Sequence, residues 1–494
     1  MDYAMIYSRA SAGLAAPLVR VETHLANGLP AFNVVGMPET AVRESRDRVR
    51  SALLNSSLAF PERRITVNLA PADLPKGGSR FDLPIALGIL AASGQLPRAG
   101  LGAWEFIGEL ALDGALRPVH GVVPVAIAAS DAGRALALPR DCAALAARAP
   151  GSRVFGAPDL LTLCAALRGT RPPAWATPAR TPAIEPAPDL ADVLGQPGAR
   201  RGLEIAAAGG HHLLLSGPPG TGKTMLASRL PGLLPPPEPR LQLECLALHS
   251  LAGTAAPAAR PFRAPHHSAS AAALVGGGGV PRPGEISLAH GGVLFLDELP
   301  EFPRHTLDML REPLEAGRVT LARARASTTF PARFQLVAAM NPCPCGFDGD
   351  PARACRCTPD QLDRYRQRVS GPLLDRIDLQ VPVPRPGTGA LLDPTARGED
   401  SATVRARVCA AWERQQQRQG CANAALDDDR LGRHCRLRDE VRGHLELAAE
   451  RLRLSPRAVR RCLRVALTLA DLAQLETPGM TQLVEAIGYR HGGD

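Results

Sequence analysis

The chain has 494 residues, of which 45% are hydrophobic and 21% are charged, the balance of a globular protein with roughly two to four domains. Its apolar runs fall well short of the roughly 20 residues that a membrane-spanning helix needs, and it starts with MDYAMIYSRA, which lacks the pattern of a secretory signal. Eleven cysteines, an odd number, argue against a disulfide framework. We therefore expect a cytoplasmic protein without a membrane partner.

The basic residues narrow the class of partner. The net charge is +9, and only Lys76 and Lys223 among the 57 basic residues are lysines. Where arginine is used so widely, a remaining lysine is a candidate for a site that needs a compact point charge. The positive charge permits nucleic-acid binding. Aromatic residues make up only 4%, so such binding should use phosphate contacts rather than base stacking.

Four segments differ in composition and periodicity. Residues 1–168 alternate β-like and helical runs, and residues 169–188, rich in Pro, Ala and Thr, are typical of a semi-rigid linker. Residues 189–385 contain apolar strand-like runs separated by helical stretches, which predicts a parallel sheet covered by helices. Residues 386–494 show helical periodicity. The pattern predicts an α/β core between a mixed N-terminal domain and a helical C-terminal domain.

Residues 217–224, GPPGTGKT, fit the phosphate-binding pattern G-x-x-x-x-G-K-[ST] between a strand-like and a helix-like run. Its glycines let backbone N–H groups surround phosphates, Lys223 reaches the β- and γ-oxygens, and Thr224 binds Mg²⁺. The motif therefore predicts ATP and Mg²⁺ as cofactors. The predicted binding residues are Gly217, Pro218, Pro219, Gly220, Thr221, Gly222, Lys223 and Thr224.

Two later apolar runs end in polar residues suited to ATP hydrolysis. VLFLDE ends in Asp297 and Glu298; Asp297 can hold the metal's water shell, and Glu298 can orient or deprotonate the attacking water. The run that ends at Ala339 is followed after Met340 by Asn341, whose amide can hold that water near the γ-phosphate. Taken alone, the acids would be a strand end meeting solvent and the asparagine a turn former.

Two arginines are candidates for contacts around the nucleotide. Arg376 in GPLLDRID is a candidate finger for a neighbouring subunit's γ-phosphate, and Arg457 in SPRAVRR could report nucleotide state to the C-terminal domain. Among 55 arginines, a plain surface position is the alternative for each. The surrounding segment 451–464 holds six arginines and no acid, which fits a solvated face, a nucleotide or subunit contact, or DNA.

Four of the eleven cysteines form C-x-C-x₉-C-x-C. Four thiolates suit a tetrahedral structural zinc, and a metal there would brace the loop that follows Asn341. Reduced thiols without a metal and a disulfide are the alternatives. The cysteines are Cys343, Cys345, Cys355 and Cys357. Elsewhere in the sequence, His266 and His267 might also look like metal ligands, but they are interpreted as structural or inter-subunit residues.

The chain resembles the AAA+ ATPases in the order of its motifs, which are the P-loop, VLFLDE, AAMN, LLDRID and LSPRA. The insert at 262–286 and the hairpin-like segment 317–333 look like the helix-2 insert clade, which includes MCM helicases and magnesium-chelatase ATPase subunits. VNLAPADLPKGGSRFDLPIALG, GELALDGALRPVHGVVPVA and FRAPHHSAS closely match the YifB/ComM family over nearly the whole chain. The resemblance implies an AAA+ core with a C-terminal helical lid in a hexameric ring ATPase that acts in DNA branch migration during natural transformation.

The resemblance also implies where DNA binds. The clade directs the hairpin-like segment into the ring channel, and here that segment carries Arg318, Arg323 and Arg325 without an acid. Arginines on such a hairpin would follow a phosphate backbone, single-stranded or branched. An alternative is a chelatase-like or MoxR-like ATPase that remodels a protein partner.

The N-terminal segment resembles the Lon-type protease domain, whose active site is a Ser–Lys dyad. PKGGSRFD places Arg80 at the position of the nucleophile, and GELALDGALRPVHGVVP places Val123 at that of the lysine. Neither side chain can do the dyad's work, since arginine is no nucleophile and valine cannot take a proton. A dyad shifted to Ser79 and Lys76 is the remaining route to an active protease, so the resemblance implies a retained fold without proteolysis.

Overall fold

A computed structural model describes residues 2–37, 42, 44–180, 187–278, 281–323, 326–387 and 398–490, with only the backbone of Arg323 and Ala326. Within these ranges, no helix combines the length and the apolar character that crossing a bilayer requires. The chain forms an N-terminal unit, a central unit around a parallel sheet, and a C-terminal set of helices.

The N-terminal unit is built on a seven-stranded sheet in the order β3-β4-β2-β1-β5-β8-β9. Pairs among β1, β2 and β4 are antiparallel and the others are parallel. The strands of the sheet are β1 (Tyr3–Arg9), β2 (Leu18–Ala26), β3 (Ala31–Val35), β4 (Arg64–Ala70), β5 (Trp104–Phe106), β8 (Ala135–Pro139) and β9 (Val154–Ala157), while β6 (Glu109–Leu110) and β7 (Leu116–Arg117) form a separate antiparallel pair. The helices of the unit are α1 (Ser45–Asn55), α2 (Asp82–Ala92), α3 (Val122–Asp131), α4 (Arg140–Ala146) and α5 (Leu160–Leu167).

Helix α2 lies at the centre of this unit because almost every residue in DLPIALGILAA is apolar. All of its residues are buried, and it packs on β1 and β2. The approach is close at Gly88, where a Cβ would lie 2.3 Å from the Thr23 hydroxyl oxygen. A larger residue there would push the helix away from the sheet.

Part of the segment expected to be a linker is packed on the N-terminal unit. The N–H of Ala176 donates to the carbonyl of Val154 in β9 at 2.8 Å, and that of Ala179 donates to Ala144 at 2.8 Å. The Trp175 ring stacks on Trp104 with centroids 5.5 Å apart. These contacts fix residues 175–179 along the free edge of β9; residues 181–186 lie outside the described part of the chain.

The central unit contains a five-stranded, wholly parallel sheet in the order β11-β14-β17-β10-β18. This confirms the mixed α/β class and the parallel sheet predicted for this segment. The strands of this sheet are β10 (Leu213–Ser216), β11 (Phe262–Arg263), β14 (Val293–Leu296), β17 (Gln335–Met340) and β18 (Leu379–Pro382). The central unit also contains two separate antiparallel pairs, β12 (Gly276–Gly277) with β13 (Arg282–Pro283) and β15 (Arg318–Arg323) with β16 (Ala326–Pro331).

Helices cover both faces of this sheet, so β14 is buried along its whole length and apolar throughout. The helices of the central unit are α6 (Pro197–Gly209), α7 (Lys223–Leu233), α8 (Pro239–Ala252), α9 (Ala271–Val275), α10 (Glu285–Leu288), α11 (Arg304–Asp308), α12 (Arg311–Ala316), α13 (Pro359–Arg366) and α14 (Gly371–Leu374).

The topology explains where a ligand can bind. Strand β10 lies between β17 and β18, although the chain runs from β10 to the far edge strand β11 before it returns. The carboxyl ends of β10, β14 and β17 therefore meet at one edge, where the strand order reverses. Open parallel sheets bind ligands at this kind of switch point.

The C-terminal helices pack on the central unit through a buried polar network. They are α15 (Ser401–Gln419), α16 (Asp428–His434), α17 (Asp439–Arg451), α18 (Pro456–Leu472) and α19 (Met480–Gly488). The His211 ring contacts Thr468 at 2.8 Å and Asp378 at 3.1 Å, and Arg461 donates to Asp378 at 2.5 Å. Burial alone would raise the pKa of Asp378. The opposing effect of His211 and Arg461 is larger, so the pKa lies below its usual range. The carboxylate therefore stays charged and joins α18 to β18.

Candidate nucleotide-binding site

The P-loop joins the end of β10 to the start of α7. Gly220 and Gly222 have φ values of +78° and +88°, which favour glycine. A Cβ at Gly217 would lie 2.1 Å from the carbonyl oxygen of Val383. Thr221 donates to the carbonyl of Pro218 at 3.0 Å, which helps to close the loop. The loop thus requires its glycines and places its backbone N–H groups at the N-terminus of α7.

Lys223 is buried at the base of this loop. Its ammonium donates to the carbonyls of Gly217 and Pro218 at 2.6 and 2.9 Å and to Oδ1 of Asn341 at 3.1 Å. Burial lowers its pKa. Phosphate oxygens would replace these neutral acceptors with charged ones, which strengthens each hydrogen bond.

The oxygen atoms present at the cavity suit a magnesium ion. The Thr224 hydroxyl donates to Oδ2 of Asp297 at 2.6 Å, and the Glu298 N–H donates to the other oxygen, Oδ1, at 2.9 Å. Mg²⁺ is usually held by one or two protein oxygens, water and substrate phosphates. Thr224 and Asp297 would supply those protein ligands.

Glu298 has an unusual backbone and an unexpected neighbour. Its φ is +51°, in the left-handed region, where a non-glycine residue is strained. Its carboxylate lies 3.5 Å from Nδ1 of His267, and the rings of His267 and His266 are 4.0 Å apart. The structure thus brings a histidine of the insert to the predicted water-activating residue. The sequence interpretation of His267 as a structural or inter-subunit residue missed this contact.

These groups surround a cavity of about 430 Å³. The P-loop, both acids and the asparagine all line this cavity because β10, β14 and β17 end at the same edge of the parallel sheet. Its lining residues are Pro219, Gly220, Thr221, Gly222, Lys223, Thr224, Met225, Asp297, Glu298, Met340 and Asn341.

The two predicted nucleotide-contacting arginines lie away from this cavity's lining. Arg376 is 8% exposed, and its guanidinium is paired with Glu315 of α12 and with the carbonyl of Pro372. Arg457, in the first turn of α18, is exposed and has no ion pair within the described part of the chain. Among the described residues of this chain, Arg376 is therefore paired and Arg457 has no ion-pair partner.

The four cysteines of the C-x-C pairs converge on one point, and all their sulfur atoms lie within 4.8 Å of one another. Cys343 Sγ is 3.3 Å from that of Cys345 and 3.7 Å from that of Cys355. Zn–S bonds of about 2.3 Å in a tetrahedron place sulfur atoms roughly 3.8 Å apart, so the donor set fits zinc. Hydrogen bonds from the N–H groups of Arg356 and Phe347 lower the pKa of Cys345 to about 6.

The cysteine loop (residues 342–357) also contacts the P-loop. A Cβ at Gly346 would lie 2.7 Å from Cδ of Pro219, and Gly346 has a φ of +83°. The loop begins one residue after Asn341. Its position thus depends on the same backbone that borders the phosphate site.

The predicted DNA-binding segment is the hairpin β15–β16. Arg318 is exposed at its base. Arg323 is the last residue of β15, with only its backbone described, and Arg325 lies outside the described residues. The structure thus locates Arg318 on an accessible surface of the hairpin.

The residues considered for a protease dyad have other partners. Ser79 donates to the Glu109 carboxylate, Lys76 donates to the carbonyl of Pro71, and Lys76 is fully buried. Arg80 is also buried and donates to the carbonyl of His120 at 2.9 Å, while Val123 lies in the apolar core. Within the described residues, no hydrogen bond joins Ser79 to Lys76.

Comparison with known proteins identifies relatives along the whole chain. Three family models match: "Magnesium chelatase, subunit ChlI" over residues 189–391, "Subunit ChlI of Mg-chelatase" over 21–141, and "Magnesium chelatase, subunit ChlI C-terminal" over 398–490. The chain is 51% identical to the uncharacterized protein YifB of Salmonella typhimurium, over 99% of this chain and 97% of the relative. It is 50% identical to the competence protein ComM of Haemophilus influenzae, over 99% and 98%. The chain therefore belongs to the YifB/ComM family of magnesium chelatase-like proteins.

Proposed function

We propose that this protein is an ATP-hydrolysing AAA+ motor that acts on DNA as a hexameric helicase or branch-migration factor. The observation that carries the ATPase part is the cavity in which Lys223, Thr224, Asp297, Glu298 and Asn341 meet at the end of a parallel sheet. The name of the Haemophilus relative, a competence protein, supports a role in natural transformation or recombination.

Each side chain has a distinct part in hydrolysis. The P-loop N–H groups and Lys223 bind the phosphates, and Lys223 neutralises charge on the β- and γ-oxygens. A magnesium ion held by Thr224 and Asp297 would supply further charge neutralisation there. Glu298 accepts a proton from the attacking water, and the Asn341 amide holds that water in line. His267, 3.5 Å from Glu298, keeps the carboxylate oriented.

Ring assembly would complete the site. We propose that Arg376 reaches the nucleotide of a neighbouring copy after it leaves Glu315, and that Arg457 contacts the nucleotide from the C-terminal helices acting as a lid. The exposure of Arg457 and the position of Arg376 between α14 and β18 support these roles. DNA would bind in the ring channel through the hairpin arginines Arg318, Arg323 and Arg325.

The remaining parts of the proposal are structural. One zinc ion is held by the four cysteines, as their sulfur spacing supports, and it braces the loop after Asn341. The N-terminal unit has a Lon-like fold without proteolytic activity, which the core position of Val123 supports. We place the protein in the cytoplasm, where zinc-bound or reduced thiols are stable.

The rate of ATP hydrolysis with and without DNA tests the proposal. We expect single-stranded or branched DNA to stimulate hydrolysis, and the R323A/R325A double variant to lose the stimulation while it keeps the basal rate. Each lost phosphate contact should also reduce the slope of log affinity against log salt by about 0.7 to 0.9. The R430A/R433A double variant, on α16, is the control. Hydrolysis that ignores DNA would instead favour an ATPase that remodels a protein partner.

A further inference from the structure

The hairpin β15–β16 has one exposed and one covered face. In its antiparallel register, Val319 pairs with Phe330, and both are buried. Thr320 pairs with Thr329, and both are exposed. Arg318 lies on the exposed side of this alternation. A two-stranded ribbon alone is marginally stable in water, so whatever covers its apolar face determines its position.

The N-terminal unit supplies part of that cover. Phe330 is fully buried with Leu248 and Leu251 of α8. Leu14 completes this cluster from the turn between β1 and β2 (residues 10–17), which we call the N-terminal turn. Two hydrogen bonds shape the turn, from the Ala10 N–H to Pro17 at 3.0 Å and from the Ala12 N–H to Ala15 at 3.1 Å. The hairpin thus rests partly on a domain that lies about 300 residues away in the sequence.

The N-terminal turn approaches strand β16 closely at Gly13. This residue has a φ of +65°, and a Cβ added to it would lie 2.8 Å from the carbonyl oxygen of Thr329 and 3.2 Å from Cγ2 of Thr328. Even one methyl group would force either the turn or strand β16 to move. The position of the hairpin therefore depends on the position of the N-terminal unit, because the turn at Gly13 leaves no spare space beside strand β16.

Helix α8 couples the same two parts by a second route. The Gly121 N–H donates to the Ser250 carbonyl at 2.8 Å, and the Val123 N–H donates to the Ser250 hydroxyl at 3.3 Å. A Cβ at Gly121 would lie 2.8 Å from Leu251, which also packs on Phe330. The side of α8 that supports the hairpin is thus itself fixed to the N-terminal unit.

From these contacts we infer that the N-terminal unit is a clamp that sets the position of the hairpin, with Gly13 and Leu14 as positioning residues. The inference rests on the proposed function for its consequence, because a clamped hairpin presents Arg318 and its neighbours to DNA at a fixed angle. Release of the clamp weakens the response to DNA and leaves the nucleotide cavity, which contains none of these residues, unchanged.

The test compares G13A with G133A in the full-length protein. Gly133 has a φ of +69° and nothing within 4 Å of an added Cβ, so both variants strain the backbone alike and only G13A meets the hairpin. We expect faster hydrogen exchange of the hairpin amides in G13A, measured without DNA. We also expect the DNA concentration for half-maximal stimulation of hydrolysis to rise roughly fivefold or more, with an unchanged basal rate.

A second pair, L14A with L29A as its control, keeps the inference testable if G13A fails to fold. Leu29 is 88% exposed in the same unit. The clamp would be overturned if G13A behaved like G133A, and L14A like L29A, in both the hydrogen exchange of the hairpin and the stimulation of hydrolysis by DNA. A wild-type enzyme that DNA does not stimulate would defeat the proposed function instead, while the exchange measurement would still decide whether the clamp exists.

Discussion

At the scale of single residues, Glu298 combines backbone strain with the proposed role of accepting a proton from water. Its left-handed φ of +51° has a cost on the order of 1–3 kcal/mol, which the surrounding fold must offset. In return, the carboxylate leaves the end of β14 towards the cavity while the neighbouring Asp297 faces Thr224 at 2.6 Å. In the proposed mechanism, two consecutive acids would thereby serve the metal and the water separately.

Changing the carboxylate to an amide isolates this role. We expect E298Q to bind ATP and Mg²⁺ but to hydrolyse ATP slower by a factor on the order of 10² or more, because an amide accepts no proton from water. K223A should lose nucleotide binding itself. Equilibrium binding of a fluorescent ATP analogue and single-turnover hydrolysis separate the two effects. Near-native turnover in E298Q would remove Glu298 from the proton-accepting role.

A partly buried histidine predicts how stability depends on pH. His212 accepts a hydrogen bond from the Leu336 N–H on Nδ1 at 3.0 Å, and burial lowers its pKa to about 4. The unfolded chain, with a histidine pKa of about 6.5, binds this proton more readily. The contribution of His212 to the free energy of unfolding is therefore complete above about pH 6.5. It is lost as the pH falls towards 4, and the loss is about 2 kcal/mol at pH 5.

The variant H212N should reduce this pH dependence, since the asparagine Oδ1 can accept the same hydrogen bond without titrating near pH 6. Thermal unfolding temperatures of the full chain at pH 7 and pH 5 measure the effect. The control is H444N, which changes an exposed histidine of α17. Equal acid sensitivity in H212N and the wild type would rule out His212 as the source.

At the scale of secondary-structure elements, the cysteine loop joins two parts of the ATPase site. It begins beside Asn341 and packs Gly346 on Pro219 of the P-loop. A zinc ion would therefore stiffen both Asn341, which we propose holds the attacking water, and the P-loop.

Metal analysis tests this coupling. We expect about one zinc per chain in the purified protein, and we expect C343S and C355S to lose it and to hydrolyse ATP more slowly. Cys421, half-buried outside the cluster, provides the control C421S, which should keep both zinc and activity. Normal activity in a protein that contains no zinc and does not respond to chelator would end the zinc proposal.

The elements that the sequence predicted well are those with a local signal. The apolar strand before the P-loop and the run VLFL are confirmed as members of a parallel sheet, because buried parallel strands are apolar on both faces. The contacts of His267 with Glu298 and of Gly13 with Thr329 carry no such signal. They join residues distant in the sequence, and only the packed structure brings them together.

At the scale of the whole molecule, the proposed ring makes activity a property of subunit pairs. We expect R376A to bind ATP normally but to hydrolyse it more slowly by a factor on the order of 10³ if Arg376 acts as a finger. Mixing R376A with K223A should restore part of the rate, because some interfaces then combine an intact pocket with an intact finger. Hydrolysis by each variant alone is the control.

An inactive mixture in which mixed rings demonstrably form would contradict the proposal. The finger would then have to be sought among the other arginines of that region, first Arg366 and Arg368. Arg368 pairs with Glu301 at 2.9 Å, three residues after Glu298, so its variant R368A is the natural next measurement.

The segment that runs beside β9 has a consequence for solubility. The outer strand of a sheet offers unpaired N–H and C=O groups to any other chain, and this invites edge-to-edge aggregation. Here the hydrogen bond from Ala176 to Val154 and the packing of Trp175 occupy that strand. The connection between the two units thus also shields the β9 edge of the N-terminal sheet from pairing with another copy, at the high local concentration that the proposed ring would create.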